Sequence, residues 1–104
     1  MYENLLERFI AYAKVDTRSD DSSYTVPSTH NQVTFALELA KELIRIGLEE
    51  VEYNEMNGFL TATLPSNTAE AVPVIGFIAQ LDTAEFNSVN IHPQVHCAYD
   101  GGDI

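Results

Sequence analysis

The stretch that most constrains this chain is Val74-Ile75-Gly76-Phe77-Ile78-Ala79, an apolar run set between Pro73 and the polar Gln80. It is too short for an independent helix and carries a β-branched and aromatic bias, so it reads as a central strand buried on both faces. Just beyond it come Gln80 and Asp82, and the period-2 geometry of a strand points both side chains to the same side. Two polar groups then converge at the carboxyl end of a buried strand, where open α/β sheets place their ligand sites. Taken alone, an Asp there also fits a plain strand cap followed by a loop.

The residues before this run predict its neighbours. Leu5, Leu6, Phe9, Ile10 and Ala13 fall at helical spacing, which predicts an amphipathic helix over Tyr2 to Lys14 with Glu3, Glu7 and Arg8 elsewhere on the wheel. Its acidic first turn and terminal Lys14 complement the helix dipole. Asp16 to Val26 is rich in Ser, Asp and Thr and reads as a surface loop, with Asp20 and Asp21 a solvated pair rather than a metal site. Ser28 or Thr29 caps a second helix, and Gln32 completes a capping box if Thr29 is the cap. Val33, Ala36, Leu37, Ala40, Leu43 and Ile44 form that helix's inner face, Glu38, Lys41, Glu42 and Arg45 its outer face, and Gly47 its end. His30 reads as an exposed polar residue near its start.

Glu50 to Glu55 and Phe59 to Leu64 read as a β-hairpin around Asn57-Gly58, the dipeptide of type I′ turns. Pro65 ends it, and residues 66–72 form a connecting loop. After Thr83, Ala84 to Asn90 reads as a loop and Ile91 to Tyr99 as an extended segment. A doubly buried strand requires a neighbour on each edge and helices over both faces, yet the 104 residues supply only two helices and one hairpin beside it. The expected fold is therefore α/β, an incomplete portion of an α/β/α layer, with residues 1–104 cut within a domain.

Charge and cysteine usage narrow the function classes. Sixteen acidic against five basic residues give a formal net charge of −11, which argues against nucleic-acid or anionic-membrane partners. No apolar run is long enough to span a bilayer, the N-terminus lacks the pattern of a secretory signal, and the lone Cys97 fits a reducing compartment. A cytoplasmic protein is the expectation.

Several segments together carry a family likeness. Gly76-Phe77-Ile78-Ala79-Gln80-Leu81-Asp82-Thr83, Gly101-Gly102-Asp103-Ile104, Val26-Pro27-Ser28-Thr29 and Leu5-Leu6-Glu7-Arg8-Phe9 resemble the beginning of the peptidase T family. These are bacterial tripeptide aminopeptidases of the di-zinc exopeptidase superfamily. The resemblance covers essentially the whole chain, and implies that residues 1–104 are the N-terminal portion of a zinc peptidase catalytic domain.

That resemblance implies a cytoplasmic metallo-aminopeptidase that removes the N-terminal residue of tripeptides with two zinc ions. In such a site zinc lowers the pKa of bound water while a carboxylate serves as general base. The family's first zinc ligand is the His of a His-x-Asp pattern, and the Asp is assigned a catalytic role. Asp82 matches that Asp, but Gln80 stands where the ligand His belongs. A neutral amide is a poor substitute for imidazole on zinc. The resemblance places the bridging Asp, the general-base Glu and the remaining ligands beyond Ile104, so the isolated chain is expected to be inactive and to bind no zinc.

His92, His96 and Cys97 offer ligand chemistry of their own. In an extended segment the two histidines share a face while Cys97 points opposite, so the reading is a pair of surface histidines and a small buried cysteine. A different class of function is a non-catalytic acidic fragment that acts through protein association, including self-association through an exposed sheet edge.

Overall fold

The computed structural model describes residues 4–104. In order come helix α1 (Leu5–Ala13), helix α2 (His30–Arg45), strand β1 (Glu49–Asn54) and strand β2 (Phe59–Thr63), the last two an antiparallel pair. The fold is a partial α/β unit of two helices and a hairpin. Tyr2 and Glu3, where the sequence places the start of the first helix, lie outside the described residues.

The second helix forms where its end signals stand. Thr29 is the N-cap, with extended backbone, and its N–H donates to Gln32 Oε1 at 3.4 Å, so the capping box is closed through Thr29 rather than Ser28. At the other end Gly47 takes φ +101°, Leu48 N–H donates to the Leu43 carbonyl at 3.0 Å and Gly47 N–H to that of Ile44 at 3.1 Å. Those two bonds are a Schellman motif, which satisfies carbonyls that a bare helix end leaves orphaned. Ala36, 1% exposed, is the most buried apolar side chain described. It marks the face of α2 that packs on the hairpin, chiefly on β1.

The hairpin differs from expectation in its turn. Asn54 pairs with Phe59, leaving Glu55 to Gly58 as a four-residue loop in which Gly58 has φ +72° and Asn57 keeps a negative φ. A type I′ turn needs positive φ at both central residues, so the tight turn does not form. Instead Gly58 N–H donates to the Asn54 carbonyl at 2.8 Å, while the Asn54 and Asn57 side chains accept from Met56 and Phe59 N–H. A Cβ on Gly58 would lie 2.5 Å from Pro27 Cγ, so glycine is required there by close approach as well as by φ. In β1 the register slips between Glu49 and Glu52, a bulge in which Glu50 takes φ +50°.

Helix α1 is joined to α2 by side chains. Tyr12 meets Phe35 edge to face with centroids 5.6 Å apart, its hydroxyl donates to Glu42 Oε2 at 2.8 Å, and Arg8 Nε lies 2.5 Å from Glu42 Oε1. Glu42 therefore belongs to the α1–α2 junction and not to the solvated outer face. Burial first, and then the Glu42 carboxylate, push the Tyr12 phenol up to about 12. Because the folded-state value lies above the unfolded one, this contribution to stability is complete below about pH 10 and is lost as pH rises towards about 12. Alkaline unfolding in that window should be blunted in Tyr12→Phe, followed by phenolate absorbance and far-UV dichroism. An identical alkaline limb in the variant would remove Tyr12 as its cause.

The central strand is the main correction. Residues 74–79 form neither helix nor strand, and no other segment among the described residues pairs with them. Val74, Ile75, Phe77 and Ile78 are 99, 74, 94 and 98% exposed. Fully burying one such side chain contributes about 1.5–3 kcal/mol, and here little of that is realised, because β1 and β2 pair only with each other and α2 lies on the hairpin. The apolar stripe of α1, Leu5, Leu6 and Phe9, is likewise largely exposed. The consequence is a radius of gyration of 16.7 Å, against about 13 Å for a compact domain of roughly this length.

Candidate functional site

Although the apolar run is unpaired, its far end is held. Thr83 N–H donates to the Thr17 carbonyl at 3.1 Å, and Ser19 N–H donates to the Thr83 carbonyl at 3.0 Å, a single parallel bridge centred on Arg18 and Thr83. This places Asp82 against the loop that follows α1. Ser19 Oγ donates to Asp82 Oδ2 at 2.8 Å.

Behind Ser19 stands Gln32, in the first turn of α2. Its Nε2 donates to the Thr17 carbonyl at 3.1 Å and to Ser19 Oγ at 3.2 Å, while its Oε1 accepts from Thr29 N–H and from Ser28 Oγ at 3.3 Å. Thr17 and Gln32 are buried, at 4 and 7% exposure. Among the described residues no buried side-chain nitrogen or oxygen is left without a partner, as buried amides require. The α2 N-terminus thus positions Ser19, and Ser19 positions the Asp82 carboxylate. Sequence reasoning found Gln32 only as a capping residue and did not find Ser19. The one local signal was the polar richness of residues 16–23, because both contacts to Ser19 cross long sequence separations.

Asp16 is a second anchor that the sequence reading left inside a loop. It accepts from Ser88 Oγ at 2.5 Å, Arg18 N–H at 3.3 Å and Asn31 Nδ2 at 3.4 Å. The Ser88 bond, followed by the Arg18 N–H, holds its carboxyl below the usual carboxylate range. It joins the 84–90 loop to the start of α2. Asp20, read as a solvated acid, accepts from Ser22 N–H and Ser22 Oγ, and these bonds lower its pKa.

The other expected site residues are not assembled. Gln80 is exposed, and Asp82 is exposed with Ser19 as its recorded partner. The crevice expected beside Asp82 is not among the grooves described. One runs between Pro27, His30, Val33, Leu37 and Tyr53, the other between Tyr12, Val15, Phe35 and Leu39. His92 and His96 are exposed in an irregular segment, and Cys97, expected to be buried, is exposed as well. With no core beneath residues 91–99, nothing encloses the thiol.

A zinc centre draws on Cys, His and carboxylate ligands in close tetrahedral array. Among the described residues, the one cluster of three potential ligands is Asp20, Asp21 and Glu85. It is all-oxygen, contains no His or Cys, and includes neither Gln80 nor Asp82. The residues present do not fit a zinc site.

The fold and site together define part of an α/β protein in which a carboxylate on the residue 80–83 segment is braced by the loop after the first helix. More particularly, the chain is 58% identical over 101 residues to peptidase T of Enterococcus faecalis, a match covering 97% of this chain and 25% of that protein. It is 54% identical over 104 residues to peptidase T of Streptococcus pyogenes serotype M5, covering 99% of this chain and 26% of that protein. The chain is a homologue of peptidase T along essentially its whole length, and spans about a quarter of the length of the curated relatives it matches. No family model matches it. Among the described residues no helix is long and apolar enough to cross a membrane.

Proposed function

We propose that residues 1–104 are the N-terminal portion of the catalytic domain of a cytoplasmic, zinc-dependent tripeptide aminopeptidase, and that the chain alone does not hydrolyse peptides. The observation that carries this reading is homology to peptidase T over nearly the whole chain but only about a quarter of the relatives' length. Asp82 takes the position of the family's catalytic Asp. The Ser19 hydroxyl supports that role, since a donor at 2.8 Å fixes the carboxylate's orientation and keeps it a ready acceptor. Gln80 takes the position of the first zinc-ligand His and does not ligate.

The isolated chain should release no amino acid from a tripeptide above the buffer rate, with or without added zinc. A protein in which this chain replaces the matching region of the Enterococcus faecalis peptidase T should bind less zinc than that parent. Turnover by the isolated chain that a chelator abolishes, or full zinc occupancy in the joined protein, would overturn the reading.

A further inference from the structure

The contacts behind Asp82 have a direction as well as a length. Gln32 is 7% exposed, and its amide spans two backbone groups of opposite kind. Thr29 N–H can only donate, and it meets Gln32 Oε1 at 3.4 Å; the Thr17 carbonyl can only accept, and it meets Gln32 Nε2 at 3.1 Å. Turning the amide over would set acceptor against acceptor and donor against donor, so these two neighbours fix which end is which. The second Nε2 proton goes to Ser19 Oγ, 3.2 Å away. A hydroxyl has one proton to give. With Gln32 donating to its oxygen, Ser19 directs that proton to Asp82 Oδ2 at 2.8 Å.

We propose that Gln32 is a positioning residue of the peptidase site: through Ser19 it ties down Oδ2 of Asp82 and leaves Oδ1 as the oxygen presented to the reacting groups. Helix capping accounts for Gln32 Oε1 alone. A Glu at this position would close the same capping box, so the donor half of the side chain is the part that the relay uses. The backbone beside Asp82 is already held, because Thr83 bonds the Thr17–Ser19 stretch through both its N–H and its C=O. Side-chain rotation is the freedom left for Ser19 to remove. The inference rests on the proposed function, since the orientation of Asp82 matters to catalysis only if Asp82 is the catalytic carboxylate.

Gln32→Glu is the diagnostic substitution. It keeps an acceptor for Thr29 N–H but removes the donor to Ser19, whose proton then turns from Asp82 to the introduced carboxylate. In the isolated 104-residue chain the Hα–Hβ couplings of Asp82 should report one staggered rotamer. They should average in Gln32→Glu and in Ser19→Ala but not in Ser19→Thr, which keeps a hydroxyl, while amide exchange in the first turn of α2 stays unchanged in all three. The second arm uses the protein that joins this chain to the rest of the Enterococcus faecalis peptidase T, with Gln80→His in place. There Gln32→Glu and Ser19→Ala should each lower kcat for a tripeptide on the order of 10–100-fold, with KM within about twofold and Ser19→Thr close to the parent. Asp82 couplings indifferent to Gln32→Glu and Ser19→Ala, a kcat that both leave intact, or an equal loss in Ser19→Thr would overturn the proposal. Lost protection of α2 in Gln32→Glu would make the amide's role structural and overturn it too. A joined protein that is inert throughout, beside an isolated chain with the expected couplings, would leave the relay standing and sink the aminopeptidase reading instead.

Discussion

Gln80→His, introduced into the protein that joins this chain to the remaining three quarters of the Enterococcus faecalis peptidase T, is expected to raise kcat/KM for a tripeptide on the order of 100-fold or more. The scale follows from metal sites in which loss of even an outer partner of a ligand costs about 10–100-fold; a missing direct ligand costs at least the upper end of that range. Zinc content should rise with activity, because an imidazole replaces a neutral amide at the end of the 74–79 run. Gln80 is exposed in the isolated chain, so the substitution should leave the unfolding of the helix and hairpin portion unchanged, separating chemistry from stability. Equal activity and equal zinc in the two forms would show that the family's ligand role does not transfer to this position.

The second large effect is structural. Gln32→Met keeps the volume and helix propensity of the side chain but removes one of the two donors to the Thr17 carbonyl, which keeps Thr83 N–H, and removes the acceptor for Thr29 N–H and Ser28 Oγ. An unsatisfied buried polar group costs about 1–3 kcal/mol, so the part-buried Thr29 N–H left without its acceptor, with the lost amide bonds to Thr17 and Ser19, should cost about 1–3 kcal/mol. That is a large share of the stability of a unit whose core is this small, and the urea midpoint should fall sharply or the transition lose cooperativity. The same change frees Ser19 from behind, so the Ser19–Asp82 bond at 2.8 Å should become labile. A Gln32→Met chain that unfolds within about 0.5 kcal/mol of the parent, the range of ordinary surface substitutions, would show that the amide network contributes little.

The elements that were legible in the sequence are those that local rules specify. Helix α2 begins at Thr29 with Gln32 three residues on and ends at Gly47, because capping geometry and left-handed backbone are decided within a few residues. The hairpin was legible for the same reason, apart from its turn: Asn57-Gly58 permits type I′, but the Asn54 side chain and the close approach of Pro27 favour a longer loop. The apolar run at 74–79 announced a need for burial without saying what would bury it. Its composition describes a strand in a completed sheet, and the pairing edges and covering faces such a sheet needs are not provided by residues 4–104 of this fold.

The candidate site divides along the same line. That Asp82 closes an apolar run, two residues after Gln80, could be read from residue order alone, since it depends on neighbours in the chain; that Gln80 stands at a ligand position is what the resemblance to peptidase T implies. That Asp82 is braced by Ser19, that Ser19 is held by Gln32, and that Asp16 ties Ser88 to the start of α2 were decided only by the tertiary structure. Those contacts join residues from 13 to 72 positions apart, where hydrogen-bonding partners are chosen by which loops the packing brings together and not by local backbone preference.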